Sequence, residues 1–382
     1  MLLKFISKIA RPLLIRGIFL LACLPLLYCL LFLHDNSPNS WRFKLAESPS
    51  SQTLPAKPIS QTIPYPQIKF QHAVSLLQLT PNDVLATWYA GSTEHNADTQ
   101  IMLGHYNISL HKWHDIHPVM SRKIFLKQQH RYIHTLGNPV LSQQDRRIYL
   151  YFVSTFGGWS ASSLQVISSS DEGKHWSNAH TLMTSPLLNI STLIKTGAVH
   201  YQDGSIGLPA YHELGNKNAL LLHIHHNAIT ESSRISWNGH TLQPLVIPLS
   251  DKTAIAFMRN SGQKPRYIQM SITHDAGRTW SPTTNTSMPN PDAAISGLYL
   301  HHHIVIAFNP LHEGRQKLVI ATYSLNTNRW KLINTIANKK QGNFSYPYLI
   351  SLMPNKYMLG YSSNQKIKTL LFNNRWLEQK WT

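Results

Sequence analysis

Charge is scarce in this chain of 382 residues: Asp, Glu, Lys and Arg together make up 14%. An average soluble protein carries about 25%, so long surface helices laced with ion pairs are excluded as the main architecture. Acidic residues are the rarest, 17 against 35 Lys and Arg, which gives a formal net charge of +18 with His neutral and rules out an acidic disordered protein. The two cysteines, Cys23 and Cys29, both lie inside one apolar run, so the rest of the chain has neither a disulfide framework nor thiol chemistry. No clustered Lys/Arg run and no nucleic-acid module is present, and the basic balance is read as favouring acidic glycans or anionic lipid over nucleic acid. What is present is apolar: 42% of the chain, with ten Trp and sixteen Tyr, enough to bury a core in one large or two ordinary domains.

Lys4, Lys8, Arg11 and Arg16 precede an uncharged run from Gly17 to Leu33. As a helix this run spans about 26 Å, close to a hydrocarbon core of about 30 Å, with Arg16 able to snorkel. The basic flank predicts a cytoplasmic N-terminus and an exported remainder, periplasmic in a Gram-negative cell. A cleaved signal peptide would need a small-x-small site that the run lacks, and a lipoprotein box at Leu20-Leu21-Ala22-Cys23 would leave apolar residues continuing past its cysteine, so an uncleaved anchor is preferred. Residues 35–65, rich in Ser, Pro and Gln, read as an extended linker, which divides the chain into a basic flank and anchor (1–34), a linker (35–65) and an exported domain (66–382).

Beyond the linker, short apolar or alternating runs such as DVLATWYA, RIYLYFVS, ALLLHIHH and KLVIATYS recur between turn signals. No stretch sustains a helical period over three turns, so the domain is predicted to be all-β. Ser169 to Trp176 and Thr273 to Trp280 share one template, Ser/Thr-x-Asp-x-Gly-x-x-Trp. It suits a tight hairpin in which Asp binds turn amides, Gly takes a positive φ and Trp covers the apolar space beside it. With weaker echoes, Trp113, Trp176, Trp237, Trp280, Trp330 and Trp376 recur at intervals of 43 to 63 residues. A period near fifty is that of four-stranded propeller blades, and six markers predict a six-bladed β-propeller.

The two turn motifs resemble Asp boxes, and LATWYAGSTEHNADTQI, LGNPVL, FGGWSASSLQ, NISTLIK, DGSIGLPAYHEL, AFMRNSG, PNPDAAI and FSYPYLI resemble the BNR-repeat sialidase-like propellers, in particular the predicted bacterial neuraminidase group. The resemblance implies a glycosidase of the exo-α-sialidase kind acting on an acidic glycan, with three arginines for the sugar carboxylate, an Asp acid/base and a Tyr nucleophile activated by Glu. It places Glu213 as the activating carboxylate, Tyr346 as nucleophile, Arg259 and Arg315 in the arginine set, and Asp98, or Glu94 beside it, in the acid region of the first blade. It departs from the pattern on the first strand, where IKFQHAV puts His72 in place of the Arg-Ile-Pro signature; Arg131 is the candidate replacement.

The residues themselves narrow the choice independently. Carboxylates in turn motifs and polar loops set aside, Glu94, Asp98, Glu213, Asp292 and, less convincingly, Glu313 have contexts unlike a turn. Asp292 is held as the reserve acid/base, Asn260 and Asn138 as polar neighbours of Arg259, and His212 and His134 as proton carriers. The clusters His223, His225, His226 and His301, His302, His303 offer no third ligand or carboxylate at a fitting spacing, so neither a metal nor a cofactor is expected. Two other classes stay open: a polysaccharide lyase on uronates, in which His or Tyr removes a proton beside a carboxylate neutralised by Arg, and a non-catalytic glycan-binding propeller.

Overall fold

The computed structural model describes residues 41–45, 57–65, 67–185, 189–300, 302–353 and 355–378. Six antiparallel sheets form among them, with strands consecutive in the chain as neighbours except at the outer edge of the last sheet. The first blade is Phe70–Thr80, Asp83–Gly91, Gln100–Asn107 and Lys112–Ser121; the second is Thr135–Gln144, Arg147–Thr155, Ser162–Ser169 and His180–Thr181. In the third, an innermost strand broken into Thr192–Ile194 and Val199–His200 pairs with Ile206–His212, followed by Ala219–His225 and Ala228–Arg234. The fourth runs Thr241–Pro248, Ala254–Asn260, Tyr267–Thr273 and Thr284–Pro289, the fifth Ser296–Leu300, His303–Phe308, Lys317–Ser324 and Arg329–Asn338. The sixth takes Phe344–Leu352, Lys356–Ser363 and Lys366–Asn373, and its outermost strand is Ile59–Thr62 from the other end of the domain. This is a six-bladed β-propeller closed by strand exchange between its ends.

Six clusters of buried side chains match the six seams between neighbouring blades. Middle strands are therefore packed on both faces: Asp83–Gly91 and Arg147–Thr155 are buried from their second residue onward. Their sequences read as nearly continuous apolar runs for that reason, as expected of strands without a wet face. Outer strands such as Lys112–Ser121 and Ala228–Arg234 keep one face in water and carry the charges.

The two repeats fold into hairpin turns held by the same set of hydrogen bonds. Ser169 Oγ donates to Asp171 Oδ1 at 2.8 Å, and Asp171 Oδ1 accepts His175 N–H at 2.9 Å while Trp176 Nε1 donates to Gly173 O at 2.9 Å. The second turn repeats these bonds at 2.8, 2.9 and 3.0 Å through Thr273, Asp275, Thr279, Trp280 and Gly277. Gly173 and Gly277 take φ of 90° and 93°, where a side chain would be strained.

Several expectations are corrected. The linker assigned to 35–65 contributes structure in its described part. Ile59–Thr62 is the closing strand, and Phe43 is fully buried in the seam between the third and fourth blades, with its N–H on Asp251 O at 2.7 Å. Trp41 stacks on His223 at 3.7 Å with the Arg278 guanidinium also packed over its ring, which accounts for His223 as a packed histidine. Trp237 does not cap apolar space; it is 76% exposed beneath Arg234. A short helix, α1 (Arg122–Gln129), joins the first two blades, started by Ser121 Oγ on Ile124 N–H and buried through Phe125 alone, too brief to show a period in sequence. No helix among the described residues is long and apolar enough to cross a membrane. The anchor expected over 17–33 and both cysteines lie outside those residues.

The Asp275 carboxylate accepts from Thr273 Oγ1, Thr279 N–H and Thr279 Oγ1, and Asp275→Ala leaves that amide and both hydroxyls without their acceptor. Thermal or urea unfolding should show a loss of about 2 kcal/mol, and Asp171→Ala a lowered midpoint, with any ligand binding retained. Loss of binding at unchanged stability would place these turns in the site instead.

Candidate active site

Near the start of each innermost strand the chain passes through one left-handed residue: Ala73, Asn138, Ser191, Gln243, Asp292 and Tyr346, with φ between 46° and 63°. In four blades the pairing register slips there by a bulge. A bulge turns the strand and re-aims a side chain, and here the re-aimed residues gather about the axis. Asn138, Gln243 and Tyr346 among them border a cavity of about 270 Å³ to which all six blades contribute. His72 comes from the first blade, Asn138 and Trp159 from the second, Tyr211 and Glu213 from the third; Gln243 and Arg259, Arg315, and Tyr346 complete it. A second hollow of about 260 Å³ adjoins it through His72, Glu94 and Arg315.

A polar chain crosses the floor. Asp292 Oδ1 accepts Arg259 Nε–H at 2.6 Å, and Arg259 Nη1 donates to Gln243 Oε1 at 3.2 Å. Gln243 Nε2 in turn lies 3.5 Å from Tyr346 Oη and 3.4 Å from Tyr211 Oη, which also accepts Asn138 Nδ2–H at 3.3 Å. Arg315 Nη2 donates to the Asp292 carbonyl at 2.7 Å. Both guanidiniums are thus oriented by one residue, with donors left for a ligand.

The electrostatics follow from burial. It drives the His72 imidazole down to about 3, helped by Arg315 and Lys195, so His72 is neutral at ordinary pH and supplies shape and hydrogen bonding without charge. Burial also opposes the charge of Arg259, but Tyr346 and Asp292 outweigh it and hold this guanidinium above its usual value. Glu213 is raised above an ordinary glutamate by burial, against the pull of Lys217 and Arg259. Tyr211 is pushed well up by burial, which keeps it a neutral donor.

Of the residues expected from sequence, Tyr346, Glu213, Arg259, Arg315, Asn138 and Glu94 line the cavity. Glu94 also accepts Tyr89 Oη–H at 3.1 Å. Others stand elsewhere. Asp98 turns back to cap its own loop through Ser92 N–H at 3.0 Å and Ser92 Oγ at 3.2 Å, which leaves Glu94 as the carboxylate of that loop facing the cavity. Asp292 is tied to Arg259 and is no free acid. Asn260 is spent on backbone, donating to Tyr267 O at 3.0 Å; Arg131 lies over Phe156 at 5.0 Å, and His212 Nδ1 is on Ser191 O at 2.8 Å, none of the three bordering the cavity. Nor do Tyr346 and Glu213 share the expected bond; the phenol's partner is Gln243. Gln243, Tyr211 and Trp159 escaped sequence reasoning, because an amide or aromatic on an apolar strand, or a tryptophan in the short 3-10 turn Trp159–Ala161 between two strands, carries no local signal. No group of His, Cys, Asp and Glu that could hold a metal occurs among the described residues.

Fold and cavity together define a sialidase-like propeller. The chain matches the profile of the BNR repeat-like domain over residues 82–356 and belongs to that family. No curated protein matches it. Among solved structures it is similar to the Hadza microbial sialidase Hz136, with a TM-score of 0.67 at 15% identity over 81% of this chain and 66% of that one. It also resembles the intramolecular trans-sialidase from Ruminococcus gnavus in complex with oseltamivir carboxylate, with a TM-score of 0.66 at 14% identity over 81% and 95% of the two chains. A protein of unknown function from Dyadobacter fermentans has a TM-score of 0.65 at 12% identity, over 82% and 99%. The chain thus spans just under two thirds of the Hadza enzyme, and at these identities the likeness establishes the fold.

Because Glu213 binds its proton more tightly folded than unfolded, ionising it costs stability. Below the unfolded value near 4.3 both states are protonated and the cost is nil; it grows as pH rises through the raised folded value. Glu213→Gln should therefore melt above wild type at pH 7, with the gap closing at pH 4. An equal gap at both values would remove the burial argument.

Proposed function

We propose that the propeller is a glycoside hydrolase acting on a sugar that bears a carboxylate, by the sialidase route. The observation that supports it is the convergence of Arg259, Arg315, Tyr346, Glu213 and Glu94 on one cavity at the axis. The two guanidiniums take the sugar carboxylate. Tyr346 attacks the anomeric carbon as its phenol proton passes to Glu213, which lines the same cavity without bonding the phenol in the free protein and must close on it when the sugar is seated; its raised affinity for a proton suits an acceptor. Glu94, which replaces Asp98 in this role, protonates the departing glycosidic oxygen and then draws a proton from the water that displaces Tyr346 from the sugar, while Glu213 returns its proton to the departing phenolate. A neutral nucleophile fits an anionic substrate, since a carboxylate attacking beside the sugar's own would meet like-charge repulsion. With His72 neutral where a third arginine would stand, the carboxylate is held by fewer full charges.

A panel of sialosides and uronate glycans, assayed for reducing sugar and for unsaturated product, tests the reading. Tyr346→Phe should abolish turnover and still bind the acidic sugar, while Arg259→Lys, which cannot bridge Asp292 and Gln243, should lose binding. Undiminished turnover in Tyr346→Phe removes the nucleophile; unsaturated product moves the case to a lyase, and binding without turnover on any glycan to a glycan-binding propeller. We also propose that the apolar run Gly17–Leu33 anchors the propeller outside the cytoplasm, so protease added to intact spheroplasts should digest it; protection would reverse that topology.

A further inference from the structure

Lys195 is 2% exposed, and it lies where the innermost strand of the third blade is interrupted, between Thr192–Ile194 and Val199–His200. Its ammonium nitrogen stands 5.6 Å from the centre of the Tyr346 ring and 5.1 Å from that of Tyr348. Among the described residues no carboxylate pairs with it. The break that places it there is built: Thr196 Oγ1 bonds Pro244 O across the seam, and a side chain at Gly197 would come within 2.7 Å of Tyr348 Oη.

A buried amine without a carboxylate is costly when charged, and aromatic faces return only part of what water gave. Beside it stand His72 from the first blade and Tyr346 and Tyr348 from the sixth; Arg315 from the fifth packs on the Tyr346 ring at 6.0 Å, and Glu94 and Glu213 line the cavity that Tyr346 borders. The nearest groups are neutral or positive. None of them supplies the negative charge that would hold the ammonium form, which an anion in the cavity bordered by Tyr346 can supply.

We propose that Lys195 is a proton-linked positioning residue: it takes up a proton when a carboxylate-bearing sugar seats on Arg259 and Arg315, and so supplies from beneath the third positive charge that His72 cannot. This rests on the acidic-sugar reading of the cavity and says how that cavity is charged. Burial lowers the Lys195 amine to about 7, so the free protein holds it largely neutral above that value, and a neighbouring anion moves it upward. The sign follows: the ligand is held best below pH 7, and affinity falls as pH rises through the free value towards the bound one.

Isothermal titration of the full chain in detergent with the 2,3-didehydro analogue of N-acetylneuraminic acid, at about pH 8 in phosphate and in Tris, counts the protons taken up through the difference in buffer ionisation heat. Uptake should be about half a proton, with affinity falling about tenfold between pH 6.5 and 9. Lys195→Met should take up none and bind without that pH dependence, while Glu213→Gln keeps the uptake. Equal uptake in Lys195→Met, or none in wild type, overturns the inference. Should Lys195→Met fail to fold, lysine labelled with carbon-13 at Cε in the wild-type chain reads the amine directly: a midpoint near 7 that the ligand raises supports the inference, and an ordinary midpoint near 10 overturns it. Failure of every acidic sugar to bind overturns the underlying reading as well, whereas binding without proton uptake removes only the role of Lys195.

Discussion

Each blade of this propeller is too thin to hold a core of its own, and its two faces are covered only by the blades on either side. The apolar surface is divided among six seams, so stability depends on the ring being complete. The same arrangement makes the axis the one place where all six blades meet. Closure and site are therefore one property: whatever opens a seam also separates residues such as Arg259 and Tyr346, which come from the fourth and sixth blades.

The left-handed residue near the start of each innermost strand is the device that converts this meeting into a cavity. A non-glycine residue held there is strained by about 1 kcal/mol or more, and the strain recurs six times at equivalent places. The residues that carry it are not interchangeable. Asn138, Gln243 and Tyr346 reach each other or Tyr211, Asp292 grips Arg259, and Ser191 secures the Glu213 and Leu214 amides at 2.9 and 2.7 Å. The charge balance is equally local: two guanidiniums aligned by one aspartate, a histidine silenced by burial, and an amine behind the phenol.

What the sequence made legible was what repeats or what is scarce. The Asp-box hairpins, the spacing of most of the tryptophans and the doubly buried middle strands stood in plain view, because each is a local pattern repeated from blade to blade. Scarcity of carboxylates singled out Glu213 and Glu94. Long-range bonding decided the rest: Asp98 was indistinguishable from Glu94 until its loop folded back, and Asp292 looked free until Arg259 was brought to it from 33 residues away. Gln243 and Tyr211 sit on apolar strands, and Lys195 in the break of one, where nothing nearby marks them. Ile59–Thr62 read as linker because its partner strand lies some three hundred residues later.

That pairing has a consequence for the order in which the molecule is made. Ile59 leaves the ribosome long before Leu371, its partner in the sixth sheet, has been synthesised. Blades with local pairings such as the first and second assemble as they emerge, but the last sheet cannot gain its outer strand, nor the ring its final seam, until the chain is nearly finished. For most of its synthesis the protein is an open arc with two uncovered apolar faces. The segment from Trp41 to Leu45 shortens this interval at its own seam, since Phe43 docks as soon as the third and fourth blades exist.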